Sequence, residues 1–259
     1  MYGFHLETVI AAVVFTGARV AGLMVFCPFL GSDAIPTQLK AVLVLVITAV
    51  LAPLRGPVQL DVSSWQWLGV VLSEMVIGLI LGLAANLMME APMMAGQILG
   101  VQMGYSLATL FDPQTQADTP VLGQFHRLAA LLIFLHLNVH HWILRAIVSS
   151  FGYLPAGASV ATFSVVRGLL QAAGGIFLAG VQIAAPALIA TIIADVSLGF
   201  LAKASPQMPV LFIGLAVKNL LGLAVMFAVV VYWPHSFAEK FAESIATGER
   251  LLHLAHAGH

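Results

Sequence analysis

The chain has 259 residues, of which 61% are hydrophobic and only 8% are charged, and its formal net charge is −1. Soluble domains carry about 25% charged residues, so this composition excludes a largely water-exposed surface, and the singly scattered Lys and Arg residues exclude a basic nucleic-acid-binding stripe. The single cysteine, Cys27, excludes an internal disulfide and is expected to fill apolar space. The bilayer or other apolar protein must therefore be the solvent for much of the surface.

The long apolar runs predict helices, because they lack the alternating pattern of membrane-barrel strands. The first run has no Lys or Arg before Arg19, unlike a cleaved signal peptide, and is expected to be retained. Turns are expected at Gly31–Pro36 and Ser205–Pro209, and a loop from Pro53 to Ser64. The predicted fold class is an all-α, membrane-associated helical protein with main helices at Thr8–Leu30, Leu39–Pro53, Trp65–Met89, Ala91–Leu110, Val121–Val139, Val165–Ala202 and Val210–Trp233, and a shorter one at Trp142–Phe151.

Several of the apolar runs are too short to cross a bilayer. Ala41–Leu54 would cover about 21 Å as a helix, against roughly 30 Å for the hydrocarbon core. Gly168–Ala194 and Asn219–Ala238 are long enough. The short runs favour helices that pack on other subunits, and a conventional bundle of spanning helices is the alternative. No internal repeat is visible, so we expect one cooperative unit.

Glycines recur at helical spacing in two neighbouring segments. Gly96, Gly100 and Gly104 follow each other every fourth residue, and Gly78 and Gly82 do the same one segment earlier. Small residues at this spacing allow two helix backbones to approach closely in lipid. The pattern predicts helix-packing faces, either within the chain or between subunits.

Charged residues interrupt the apolar segments. Such residues usually face a partner or a wet cavity, because an isolated charge in lipid is costly. Asp195 and Lys203 are about 12 Å apart along a helix, so each needs another partner; structural ion pairs and a proton or ion relay are the two interpretations. The charges within apolar segments are Arg19, Glu74, Arg127, Arg167, Asp195 and Lys218, and the residues predicted to be buried polar or interface groups are Arg19, Glu74, Gln97, Gln102, Asp195, Lys203, Gln207 and Lys218.

No catalytic, cofactor-binding or metal-binding signature is complete in the sequence. His136 and His140 stand four residues apart, with His141 adjacent, but no Glu or Cys completes a metal site there. The tail histidines His253, His256 and His259 form only a loose set. The nucleophile, phosphate-loop and zinc-protease motifs are all missing. We expect no enzyme, no metal and no cofactor.

The tail after Pro234 has the pattern of an amphipathic helix. Phe237, Phe241, Ile245 and Leu252 lie on roughly one face, and charged residues supply the other. Such a helix suits a membrane surface or a partner protein, and a mobile solvated tail is the alternative.

Nearly the whole chain resembles the flagellar biosynthesis family FliR, whose injectisome counterparts belong to the SctT family. The resemblance is carried by four segments: Arg19–Lys40 (RVAGLMVFCPFLGSDAIPTQLK), Gly96–Pro113 (GQILGVQMGYSLATLFDP), Phe134–Phe151 (FLHLNVHHWILRAIVSSF) and Asp195–Lys218 (DVSLGFLAKASPQMPVLFIGLAVK). The family often has Asn where this chain has Pro209, and Arg where it has Lys203.

The resemblance implies a core, pore-forming subunit of a type III protein export gate in the bacterial inner membrane, at the flagellar basal body. It implies assembly with FliP and FliQ, near FlhB and FlhA, with unfolded flagellar proteins in transit. It also implies one export-gate unit with FliP-like helices at 1–164, a FliQ-like hairpin at 165–233 and the amphipathic tail at 234–259. The alternatives are an SctT subunit of an injectisome and a small-solute transporter, although no inverted repeat supports the latter.

In the family, the loop after the glycine-rich helix lies in the pore as a plug. The matching stretch is Gly104–Pro120, and the resemblance assigns the plug to Leu110, Phe111, Asp112 and Pro113. An apolar constriction can exclude water and ions and still yield to a passing chain.

Overall fold

The computed structural model of the chain is all-helical over the part that it describes, which confirms the predicted fold class. It describes residues 6–28, 30–31, 35–55, 64–105, 121–157, 163–205, 207 and 210–257. Within these ranges the helices are α1 (Leu6–Phe26), α2 (Thr37–Arg55), α3 (Ser64–Gln102), α4 (Val121–His136), α5 (Val139–Tyr153), α6 (Phe163–Ala204), α7 (Val210–Val230) and α8 (Trp233–Ala257).

Five of these helices are long and apolar enough to cross a membrane, namely α1, α2, α3, α6 and α7. The number rises to six if the bent pair α4 and α5 counts as one span. In a bilayer a continuous helix pairs its backbone groups internally, so a sequence this apolar favours helix over loop. The multi-pass membrane class predicted from composition is therefore also the class of the fold.

The predicted break between the third and fourth helices is wrong. Residues Ser64–Gln102 form one helix of 39 residues, with Pro92 inside it. A proline removes one helix hydrogen bond, but a complete break in an apolar segment would expose many more unpaired backbone groups. The same reasoning applies to α2, which continues through Pro53 to Arg55.

The break between α4 and α5 also differs from the prediction. Val139 was expected at the end of one helix, but it begins α5, and the chain turns at Asn138. Asn138 has a φ of 54° in the left-handed region, which Asn tolerates better than most residues. The predicted main helix Val121–Val139 and the shorter helix Trp142–Phe151 are therefore separated by the two residues Leu137 and Asn138, of which Asn138 is left-handed.

The first of two compact units comprises Met1–Met88, Phe134–Ala173 and Lys240–His259. One of its buried clusters joins Ala11 and Phe15 of α1 to Val70 of α3, with Trp67 beside them. The rings of Phe15 and Trp67 lie 5.0 Å apart between their centroids. The unit thus brings together α1, α2, the first part of α3, α5, the start of α6 and most of α8.

The second unit comprises Met89–Ile133 and Gly174–Glu239. Its core contains Leu99, Met103, Leu122 and Met226, together with small alanines of α3 and α6. Small side chains at helix contacts permit close backbone packing. The division of the chain at residue 164 into FliP-like and FliQ-like parts stays a prediction.

Helix α8 is amphipathic as predicted, but its apolar face packs on its own chain. Phe241 and Leu252 are buried, and the rings of Phe241 and Phe134 lie 5.7 Å apart within the first unit. Ser244 Oγ donates a hydrogen bond to the carbonyl of Ala84 there. This face therefore serves intramolecular packing instead of a membrane surface, because its largest side chains are already covered.

Candidate functional site

A buried cluster of three charged side chains lies in the first unit. Arg19 Nε donates to Glu74 Oε2 over 2.6 Å, and Arg55 Nη2 donates to Glu74 Oε1 over 2.6 Å. Arg19 and Glu74 are fully buried, and the side chain of Arg55 is 5% exposed. Each carboxylate oxygen therefore has its own guanidinium partner, from α1 on one side and from the end of α2 on the other.

The remaining donors of Arg19 connect the cluster to α5. Nη1 donates to Ser150 Oγ over 2.8 Å, and Nη2 donates to the carbonyl of Leu154 over 3.3 Å. Both guanidinium groups lie over the ring of Phe151. The distance from Cζ to the ring centroid is 4.7 Å for Arg19 and 5.0 Å for Arg55. Guanidinium groups at this distance are attracted to an aromatic face. The cluster thereby ties α1, α2, α3 and α5 together.

The charges of this cluster are balanced by backbone as well as by side chains. Two guanidinium groups face a single carboxylate, which leaves one positive charge over. Arg55 is in the last turn of α2, and Arg19 binds the Leu154 carbonyl at the C-cap of α5. A helix C-terminus carries about half a negative charge, so these two helix ends offset the surplus.

The two close helix approaches around the cluster depend on glycine. A Cβ at Gly78 would collide with the carbonyl oxygen of Arg19, and one at Gly82 would lie 2.5 Å from that of Leu23. Gly78 lies one helical turn after Glu74, so it sets the spacing at which Glu74 meets Arg19. The structure therefore places these two glycines at a contact within the chain.

A second polar group lies in the second unit. Asp195 Oδ2 accepts hydrogen bonds from Lys218 Nζ and from Gln102 Nε2, each over 2.9 Å. Asp195 thus finds its partners on α7 and at the end of α3. The Asp195 side chain is 44% exposed, whereas that of Lys218 is 15% exposed. This group joins three helices but stays open on one side.

The other predicted polar residues do not join either cluster. Lys203 and Gln207 are exposed, and Lys203 makes no ion pair with the described residues. Gln97 is half-buried, with its Cγ 3.5 Å from the place of a Cβ at Gly123. Their predicted interface roles stay predictions.

Gly104 caps α3 and does not extend its glycine face, which corrects the expected helical position of this residue. Its φ is 84°, its N–H donates to the Val101 carbonyl, and the Tyr105 N–H donates to the Gly100 carbonyl. These two bonds form a Schellman motif, in which a left-handed glycine ends the helix. Gly100 is buried, and a Cβ at Gly96 would collide with the carbonyl oxygen of Leu122 in the second unit.

The predicted plug lies outside the described residues. Leu110, Phe111, Asp112 and Pro113 all fall between Tyr105 and Val121, where the described chain resumes. The described structure reaches the base of this segment, at the Schellman cap of Gly104. The plug assignment therefore stays a prediction.

Among the described residues, no group of three or more His, Cys, Asp or Glu side chains is arranged to hold a metal ion. The rings of His140 and His141 lie 4.3 Å apart. His253 stacks on Tyr153 with 4.0 Å between ring centroids, and the side chains of His256 and His259 lie outside the described residues. His140, His141 and His253 are thus engaged in ring contacts.

The single cysteine is buried, and its thiol is expected to be unreactive. Cys27 is 4% exposed, and burial raises the pKa of its thiol to about 12. A raised thiol pKa keeps the group protonated, and the thiolate is the reactive form. At pH 8 we expect almost no labelling of Cys27 by a maleimide in native membranes and full labelling in denaturing detergent, read as a mass shift. Equal labelling in both conditions would contradict the buried position.

Arg55, Ser150 and Phe151 are the cluster residues that sequence reasoning missed. In the sequence Arg55 looks like an ordinary charged residue at the end of a helix, because Gly56 and Pro57 follow it. The one sequence feature that could have pointed to Arg55 is its position directly after an apolar run. A charge at such a position is a candidate ion-pair partner for the buried Glu74. Ser150 and Phe151 carry no such signal, because Ser and Phe are common in apolar helices.

Comparison with known proteins gives the chain its family. The family described as bacterial export proteins, family 1, matches residues 10–244. The flagellar biosynthetic protein FliR of Escherichia coli (strain K12) is 31% identical, with 86% of the chain and 87% of the relative covered. That of Bacillus subtilis (strain 168) is 29% identical, with 77% and 78% covered. The secretion system apparatus protein SsaT of Salmonella typhimurium is 26% identical, with 70% of each covered.

The family match over residues 10–244 includes most of both compact units and all the residues of the two polar clusters. Because the family spans nearly the whole chain and one relative exceeds 30% identity over most of its length, the chain belongs to the FliR/SctT family of bacterial export proteins.

Proposed function

We propose that the chain is a non-enzymatic, pore-forming subunit of the flagellar type III export gate, which passes unfolded flagellar proteins across the inner membrane. The observation that carries this proposal is the family match over residues 10–244, together with the similarity to the flagellar biosynthetic proteins FliR of Escherichia coli and Bacillus subtilis. FliP and FliQ counterparts would complete the pore, with FlhB and FlhA nearby.

The exposed surfaces of the chain support a role within an assembly. Leu45 of α2 is 68% exposed, Phe200 of α6 is 72% exposed and Leu220 of α7 is 71% exposed. Apolar side chains at such exposure need lipid or other protein around them. Helices of this kind suit a subunit whose folding is completed by its neighbours in the membrane.

The segment after α3 is the proposed plug of the pore. Leu110 and Phe111 would form an apolar constriction, and Asp112–Pro113 would end it. The Schellman cap at Gly104 supports this proposal, since it ends α3 ahead of Leu110 in the chain. A dewetted apolar constriction blocks ions until a chain displaces it.

Deleting Ala108–Gln116 tests the proposal. We expect the cells to lose potassium through an unsealed pore, while the tagged chain still co-purifies with the other gate subunits. A matched variant replaces only Leu110 and Phe111 by Ser and keeps the loop length, and it should leak as well. Cells with the control variant Gln114→Ser should retain their potassium, because this change leaves Leu110 and Phe111 intact.

An assembled complex that stays tight after the deletion would reject the plug. Failure of the wild-type chain to co-purify with any other gate subunit would reject the export-gate proposal itself. The injectisome alternative is favoured by a single observation, the match to SsaT. Genes for flagellar or for injectisome components beside the gene of this chain would decide between the two systems.

A further inference from the structure

A buried histidine in the second unit has one ring nitrogen that no described residue binds. His126 of α4 is 0% exposed, and its Nδ1 lies 2.7 Å from the carbonyl oxygen of Leu122. A carbonyl oxygen can only accept a hydrogen bond, so Nδ1 carries the proton and Nε2 of the neutral ring is an acceptor. Nε2 is buried and has no partner among the described residues. Because an unsatisfied buried acceptor is costly, Nε2 calls for a hydrogen-bond donor.

The same histidine lines a small cavity in the core of the second unit. Other lining residues are Leu99 of α3, Pro186 of α6, Met226 of α7 and Trp233 of α8. The cavity offers about 10 Å³ to the centre of a water molecule, which is about the space that one water needs. The described lining residues carry no charged side chain that could balance an ion. The space and the chemistry therefore select one small neutral molecule.

Trp233 supplies the second polar group of this cavity. It begins α8, is 4% exposed, and its ring centroid lies 5.0 Å from that of His126. The indole N–H can only donate a hydrogen bond, and no described residue accepts one from it. A buried water molecule needs at least two polar partners. An imidazole acceptor and an indole donor on the same cavity meet that minimum.

We propose that this cavity binds one ordered water molecule, which donates a hydrogen bond to His126 Nε2 and accepts one from the indole N–H of Trp233. Water satisfies both groups because it is a donor and an acceptor at once. The bound water joins the first turn of α8 to α4, in addition to the direct contact of the two rings. The site lies inside one unit of the chain, so the proposal does not depend on the proposed function.

X-ray hydroxyl-radical footprinting of the detergent-purified full chain tests for the water. Irradiation splits a bound water in place, and the radical oxidises a neighbouring methionine to its sulfoxide. Met226 lines the cavity, whereas Met103 belongs to the same buried cluster but not to the cavity lining. We expect Met226 to be oxidised at least tenfold faster than Met103, and a radical scavenger in the bulk solvent should not slow it. Equal rates, or a Met226 rate that the scavenger abolishes, would overturn the proposal.

Two variants test the partners of the water. His126→Phe removes the acceptor and keeps an aromatic ring, and Trp233→Phe removes the donor. Each should slow the oxidation of Met226 at least fivefold, whereas the control Trp142→Phe, on α5 and outside the cavity lining, should leave it within twofold of wild type. An unchanged Met226 rate in both cavity variants would overturn the proposed hydrogen bonds. If a variant fails to fold, the comparison of Met226 with Met103 in the wild-type chain decides.

Discussion

The Glu74→Gln variant is expected to lose about 3–5 kcal/mol of folding free energy, the range observed when one partner of a buried ion pair is removed. Among the residues that the structure describes, Glu74 is the only carboxylate bonded to the fully buried Arg19 and to Arg55. Without its charge, two guanidinium groups would remain beside the Phe151 ring. Domains of ordinary size are stable by about 5–15 kcal/mol, so a large part of that margin would be lost. The measurement is the thermal unfolding midpoint of the detergent-purified chain.

Asp195→Asn is the matched control for this variant, because it makes the same acid-to-amide change in another ion pair. The Asp195 side chain is 44% exposed, and pairs of that exposure contribute about 0–1 kcal/mol. We therefore expect a much larger fall of the unfolding midpoint for Glu74→Gln. Equal midpoints for the two variants would contradict a stabilising role for the buried cluster.

The second large effect is expected at Gly78, where even one methyl group should be harmful. Gly78→Ala places its Cβ against the carbonyl oxygen of Arg19, and backbone cannot turn away as a flexible side chain can. Overpacking of this kind costs about 1–3 kcal/mol, and the shift of α1 would also move Arg19 away from Glu74. The expected result is a lower unfolding midpoint and less chain in the membrane fraction.

Gly69→Ala is expected to raise the unfolding midpoint, the opposite of the effect expected for Gly78→Ala on the same helix. Gly69 is exposed, and a Cβ there would meet nothing within 4 Å. An exposed Gly→Ala change in a helix stabilises it by about 0.5–1 kcal/mol. The pair of variants thus tests contact geometry and not helix propensity. If Gly78→Ala raised the midpoint as Gly69→Ala does, the close approach of α1 and α3 would be wrong.

The sequence predicted the class of the fold and most of the helices, because apolar run length is a local property. It also marked Arg19 and Glu74 as residues that need partners, since a lone charge in an apolar helix is costly wherever the helix packs. It was wrong at Pro92 and at Val139. At Pro92 the proline looked like a boundary, but the helix continues through it. At Val139 the predicted helix was too long, because the chain already turns at the left-handed Asn138.

The partners themselves were decided by the tertiary structure. Arg19 meets Glu74 across 55 residues and Ser150 across 131 residues, and no sequence period links positions so far apart. Gly104 shows the same limit at short range, because its four-residue spacing fits a helix face while its positive φ makes it a cap. By itself, then, the sequence determined that the surface needs an apolar environment, where most helices form, and which family the chain resembles. Which charges pair, which glycines lie at helix contacts and which face of α6 stays open depended on how the helices pack, because those contacts form only when distant segments meet.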